Sequence, residues 1–191
     1  MSLLQAALTR RVYFVLAAGI LVLDQASKIV ADHLVRGRGP VTVIPGLFNF
    51  WYSRNRGGLF GFFATWDDPW RTLLLTLFPT VAVFLIAVFL AKTDEPDRTT
   101  LSGLGLVLGG ATGNLLDRLV RGEVVDFLDV YASSPGAVQW LTSKFGTAHW
   151  PTFNLADSSI VIGAVLLILD SMRPGRQREG AHEIGRRPEP S

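Results

Sequence analysis

The sequence predicts a mostly α, polytopic membrane protein with four transmembrane helices and a small β-sheet lying on the membrane surface, and three observations predict it. Of the 191 residues 49% are apolar, and they gather into long runs instead of recurring at the 3.6-residue period of a soluble amphipathic helix. Residues 72–91 carry no charged side chain; at about 1.5 Å per residue such a run matches the roughly 30 Å hydrocarbon core of a bilayer. The ionisable residues of the apolar segments collect towards one end of them.

The first span is expected at 12–35. Arg10 and Arg11 precede the apolar VYFVLAAGILVL (12–23), a pattern shared with signal peptides. However, DQASK replaces a small-x-small cleavage site and the helical pattern runs on. Within this span Asp24, Lys28 and Asp32 recur every four residues and so share a helix face. Residues 36–68 form a Gly- and aromatic-rich connection with extended candidates at 41–44 (VTVI) and 47–53 (LFNFWYS). Trp51, Tyr52, Trp66 and Trp70 suit the water–lipid interface.

The second span covers 71–91, with Pro79 as a candidate kink. After a hydrophilic turn, the third covers 101–120, rich in the small residues that let helices approach closely in lipid. Residues 121–152 are mixed and polar, the fourth span covers 153–172, and 173–191 read as a charged, disordered tail. Residues 1–172 are therefore expected to form a single membrane-embedded domain.

A net charge of only +2 without a basic stripe argues against nucleic acid. The chain has no cysteine, which removes disulfides, thiolate nucleophiles and Cys-ligated zinc. Four spans put both termini on one side. The basic residues closest to the spans, Arg10, Arg11, Lys92, Arg173, Arg176 and Arg178, favour the cytoplasm for that side.

With that topology Asp24, Asn114, Asp117, Arg118, Asn154 and Asp157 all fall near the outer face. Each has a purely structural reading. Asp24 and Lys28 fit an i,i+4 ion pair, Asn154 and Asp157 fit a helix cap, and Asp117 and Arg118 fit an exposed interfacial pair. Asp126 and Asp129 in VVDFLDVY would, alone, be a surface pair. Convergence argues for function: separate segments each deliver a polar group to one side of the bundle, where ionisable groups face inward and pair. Two carboxylates sharing a desolvated site cannot both ionise easily, so one keeps a proton and the other acts as base.

Four motifs sharpen this reading: DQASK at 24–28, NRGGLFG at 55–61, GGATGNLLDRLVRGEVVDFLD at 109–129 and FNLADSSI at 153–160. In this order and spacing they resemble the lipoprotein signal peptidase (signal peptidase II) family of bacterial membrane aspartic peptidases. The resemblance implies a catalytic dyad at Asp126 and Asp157. It implies that Asn114 and Arg118 line the site and hold substrate, that Asn154 supports the dyad, and that Asp24, Lys28, Asn55 and Gly57 have structural or substrate-positioning roles. Asp117 competes for a place in the dyad, although its neighbour Arg118 suggests an ion pair instead. Leu59 stands where the family usually has a small residue, and 131–150 is longer than expected.

The same resemblance implies endopeptidase action on a diacylglyceryl-modified prolipoprotein, cleaved before the lipidated cysteine by dyad-activated water, with no cofactor and no metal. It also implies a monomer in contact with membrane lipid at the bacterial cytoplasmic (inner) membrane. Stretch 47–63 would serve as a surface platform and 131–150 as an extracytoplasmic loop or helix lid. His149 is read as structural. Two alternatives come from other classes: a proton-coupled transporter, which needs polar groups along its whole path, and a Mg-dependent lipid-headgroup transferase, which needs further carboxylates beside GEVVDFLD.

Overall fold

A computed structural model describes residues 3–56, 68–93 and 97–173. Gly57, Leu59, Trp66, the remainder of the expected platform over 57–63 and the tail from 174 onward lie outside the described residues. The elements in order are α1 (Leu3–Leu34), β1 (Val41–Ile44), β2 (Phe48–Asn55), α2 (Asp68–Lys92), α3 (Arg98–Arg121), β3 (Val124–Val130), α4 (Pro135–Phe145) and α5 (Leu155–Ser171).

Among the described residues two helical stretches, Arg10–Leu34 and Leu73–Lys92, are long and apolar enough to cross a membrane on length and composition alone. The expected four spans thus reduce to two by that criterion. In α3 five glycines together with Asn114, Asp117 and Arg118 dilute the apolar content, and α5 is only 17 residues long. The solvent of the helices is nevertheless legible in their packing. Of the two stretches, the more apolar, Leu73–Lys92, is the less buried, with 6% of its residues buried against 22%, and it presents Phe78, Phe84, Leu85 and Phe89 outward. A water-soluble fold inverts that relation. The helix continues through Pro79, where a backbone donor is missing.

The centre of the bundle is α3, which packs on α5, α1 and α2. Glycines make this possible. A Cβ on Gly109 would stand 2.6 Å from the Ala17 carbonyl oxygen of α1, and one on Gly113 would stand 2.6 Å from Asp24 Oδ2. At the end of the bundle that holds the start of α3, Tyr13, Ala17, Leu90, Leu101, Leu104 and Leu108 form the apolar core. Asp97 caps α3 by accepting from Thr99 N at 2.6 Å, and Arg173 ties that cap to the end of α5 at 3.0 Å. The other half, at the C-terminal end of α3, has a different core: its largest fully buried side chains are Lys28, Asn154, Asp24, Asp117, Asp126 and Asp129, while the buried Asp170 belongs to the first end, paired with Arg173.

An antiparallel three-stranded sheet in the order β1-β2-β3 caps the bundle. The strand expected at 47–53 runs on to Asn55, and a bulge between Phe50 and Ser53 puts Ser53 opposite Asp126 and Asn55 opposite Val124. Strand β3 lies in the stretch read from sequence only as mixed and polar. Most of its residues on both faces are buried, so it lacks the apolar–polar alternation of a half-exposed strand. The segment 131–150 contains α4, started by Ser134 and Pro135 and ended at Gly146 in a left-handed conformation (φ 76°).

Candidate active site

The site lies where α1, α3, β2, β3 and the start of α5 meet, and it is built in two tiers. In the lower tier Lys28 Nζ reaches Asp24 Oδ2 at 2.8 Å, Asp117 Oδ2 at 2.8 Å and Asn114 Oδ1 at 3.0 Å. An ammonium has three donors, and all three are used. Asp24 Oδ1 accepts from the Ala156 backbone N at 2.9 Å, satisfying a donor that the first turn of α5 leaves open. Asp117 accepts from Gln25 Nε2 at 3.0 Å and from Val125 N at 3.2 Å, and pairs closely with Arg121.

The Asp117–Arg118 pair expected from adjacency does not form. Neighbours on a helix point about 100° apart, whereas residues four apart share a face, so Arg121 takes the carboxylate instead. Asp117 is fully buried rather than interfacial. Its carboxylate is held by Lys28, Arg121, Gln25 and Val125.

The upper tier holds the two remaining carboxylates. Asn114 Oδ1 is taken by Lys28 and by Asn154 Nδ2 at 3.1 Å, so its own amide points at Asp157 Oδ1, 2.7 Å away. Asn154 is the N-cap of α5. Its Oδ1 accepts from Asp157 N at 2.9 Å while Asp157 Oδ2 accepts from Asn154 N at 3.1 Å, a complete capping box. That leaves Asn154 Nδ2 to donate to Asp126 Oδ1 at 2.7 Å. From β2, Asn55 Nδ2 reaches Asp126 Oδ2 at 3.1 Å. The capping reading of Asn154 and Asp157 and their functional reading therefore hold together, because the cap aims both carboxylates.

Asp126 is 1% exposed. Burial foremost, and the charge of Asp157 next, push its carboxyl up to about 7, against the opposing hydrogen bonds of Asn55 and Asn154 and the charge of Lys28. Asp157 is half-buried, and it sits in the first turn of a helix, where a negative charge is favoured. Arg118 is half-buried at the edge, donates to the Asn114 carbonyl at 3.3 Å, and feels the charges of both Asp157 and Asp126. It also borders an open, mainly apolar groove of about 790 Å³ between α2 and α3, lined by Leu73, Thr76, Leu77, Thr80 and Leu119 among others. Among the described residues no three His, Asp or Glu side chains converge as a cation site.

The structure thus brings together Asp24, Lys28, Asn55, Asn114, Arg118, Asp126, Asn154 and Asp157; Gly57 lies outside the described residues. Two contributors escape a reading by residue type. Gln25, inside DQASK, bridges Asp24, Gly113 O and Asp117. Glu123, beside VVDF, gathers Arg54 and Arg56, the latter at 2.9 Å. Membership of a motif is their only signal in the sequence. Asp129 is not a surface residue: it is fully buried, bonded to Asn49 and His149.

A family model described as signal peptidase (SPase) II matches residues 16–173. The chain is 39% identical to the lipoprotein signal peptidase of Geobacter sulfurreducens over 170 residues, covering 89% of this chain and 97% of that protein. It is 40% identical to that of Solibacter usitatus over 161 residues, covering 84% and 90%. Two solved structures of bacterial membrane enzymes, both determined by the in meso method, share the fold. One has a TM-score of 0.68 at 22% identity, covering 94% of each chain; the other has 0.69 at 24%, covering 85% of this chain and 94% of that one.

Proposed function

Since the chain belongs to the signal peptidase II family, we propose that Asp126 and Asp157 are the catalytic pair with which it hydrolyses a lipid-modified prolipoprotein. It is a peptidase that cleaves lipoprotein signal peptides, a hydrolase of the bacterial inner membrane. The observation that carries the dyad is the set of amide donors. Asn114 and Asn154 hold Asp157, and Asn154 and Asn55 hold Asp126, so both carboxylates are fixed by groups that neither give nor take protons.

In the proposed reaction Asp157, the less buried of the two carboxylates, is the anion and draws a proton from a water between them. Asp126, kept protonated by burial, donates to the oxygen of the scissile carbonyl. The water oxygen bonds to the carbonyl carbon, giving a tetrahedral intermediate. Its collapse breaks the C–N bond as the amine takes up the proton from Asp157, and Asp126 recovers its own. No covalent enzyme intermediate forms. Arg118 and Asn114 hold the substrate backbone, and the groove beside Arg118 offers an apolar peptide segment a place in lipid next to the site.

The substrate is a prolipoprotein bearing a diacylglyceryl cysteine, cut just before that cysteine. Its acyl chains stay in lipid while its peptide bond meets the buried pair. The purified protein should cleave such a substrate and leave its unlipidated counterpart largely intact. Equal cleavage of both, or activity lost in Asp117→Asn but kept in Asp126→Asn, would contradict the assignment.

All four long helices, α3 and α5 included, cross the bilayer, within one domain over 1–172 that acts as a monomer. Both termini are cytoplasmic and the sheet, α4 and the dyad lie at the outer face. What supports this is the central position of α3 among apolar, outward-facing partners. Because the chain has no native cysteine, single cysteines report sidedness cleanly. In spheroplasts a membrane-impermeant maleimide should label Thr147→Cys directly and Arg98→Cys only after lysis; the reverse pattern overturns the orientation.

A further inference from the structure

Beyond the dyad and the lower tier, Asp129 is a buried carboxylate close to the site, three residues along β3 from Asp126. Its Oδ2 accepts from Asn49 Nδ2 at 3.0 Å, and Asn49 is its cross-strand partner on β2. Its Oδ1 takes the Nδ1 donor of His149 at 2.8 Å. The imidazole stacks on Tyr131, ring centres 5.3 Å apart, and meets the edge of Trp51 at 5.5 Å. His149 thus fastens the segment that follows α4 to two strands at once.

That segment leads directly into the site. From His149 it runs antiparallel along the free edge of β3, through Trp150 N to Val130 O at 2.8 Å and Phe153 N to Leu128 O at 3.1 Å. It delivers Asn154 to Asp126 and Asp157 one helical turn later. Phe153 O also accepts from Phe127 N at 3.0 Å and Leu128 N at 2.8 Å, but between the two bridges the pairing is irregular. The bridges join Leu128 to Phe153 and Tyr131 to His149, so four residue steps on the segment (149 to 153) face three on β3 (128 to 131). Pro151, which lacks a donor, lies within that excess. A slip of one residue moves a strand by about 3.3 Å, more than the whole 2.7 Å contact between Asn154 and Asp126.

We propose that His149 is a positioning residue: by locking the Asp129 end of the segment it sets the register that holds Asn154, and through it Asp126 and Asp157, in reacting geometry. The proposal rests on the dyad reading. Without the lock, Asn154 no longer aligns both carboxylates, while Arg118 and the groove that meet the substrate are untouched.

The test measures kcat, KM and the pH profile on a lipidated prolipoprotein for His149→Ala, His149→Asn and His149→Gln. His149→Ala should lose about tenfold or more in kcat at little change in KM, since small misplacements of reacting groups carry penalties of this size. Its alkaline limb should move to lower pH as Asp126, faced by Asp157, Lys28, Arg118, Asn55 and Asn154, is held less firmly against Asp157. His149→Asn, whose amide N–H can stand in for Nδ1, should recover more activity than His149→Gln. If His149→Ala does not fold, the Asn–Gln comparison decides. Equal activity of those two, unchanged kcat in His149→Ala, or a rise in KM alone overturns the positioning role. An active Asp126→Asn would instead overturn the dyad on which it rests.

Discussion

Asp126→Asn and Asp157→Asn will each lower kcat by about 10² to 10⁴, the range that general acid–base groups contribute, while the purified proteins keep their helical content. The amide fills the same volume, and each position retains an oxygen for one of its donors, so the fold has little reason to fail. For Asp126 that means Asn55 or Asn154, and for Asp157 it means Asn114 or the Asn154 backbone. What disappears is the proton traffic. The wild-type pH profile should report it: burial and the Asp157 charge hold the Asp126 carboxyl up to about 7, so its proton is present below that pH and lost above it. Activity should therefore fall as pH rises through neutrality. A rate that stays flat well into the alkaline range, or wild-type turnover by Asp157→Asn, would contradict the proposed roles.

Lys28→Met will cost the most in stability. It removes the cation paired with the fully buried Asp24 and leaves Asp117 to Arg121, and an uncompensated buried charge costs about 3–5 kcal/mol. Loss of folded protein, or a sharply lowered thermal transition in detergent, is the expected result. The double variant Lys28→Met/Asp24→Asn removes the surplus charge while the new amide oxygen can still accept from Ala156 N, and it should regain much of that stability. It should not regain activity. With Lys28 gone, the Asn114 amide has lost the partner that helps keep its oxygen down and its nitrogen towards Asp157. A double variant that folds and cleaves normally would reduce Lys28 to a neutralising role.

How far such details can be read from the chain depends on the range of the interaction. The apolar run 72–91 announces α2 because a bilayer imposes length and composition locally. Asn154 and Asp157 announce the start of α5 because capping acts over three residues. Strand β3 stays hidden because burial on both faces erases its alternation, and because its carboxylates find their partners elsewhere: Asp126 on β2 and beside α5, Asp129 on β2 and at His149. Asp117 pairs with Arg121 and not with Arg118 because adjacency in sequence separates side chains on a helix. Gln25 and Glu123 act through contacts more than 60 residues apart, beyond the reach of any local pattern. Motif order points to the family, whereas only the structure reveals how three asparagines hold two aspartates.

The lower tier also bears on how the protein is made. Asp24 and Lys28 neutralise each other within α1, and Asp117 and Arg121 do so within α3, each pair four residues apart. In the proposed four-span arrangement each helix would therefore leave the insertion machinery carrying an internally balanced dipole instead of a bare charge, at a lower cost in lipid before assembly. The bond from Lys28 to Asp117 forms only when the two helices meet. Because Lys28 then also bonds Asn114, completion of the helix pairing and the placing of the asparagine beside the proposed dyad become one event.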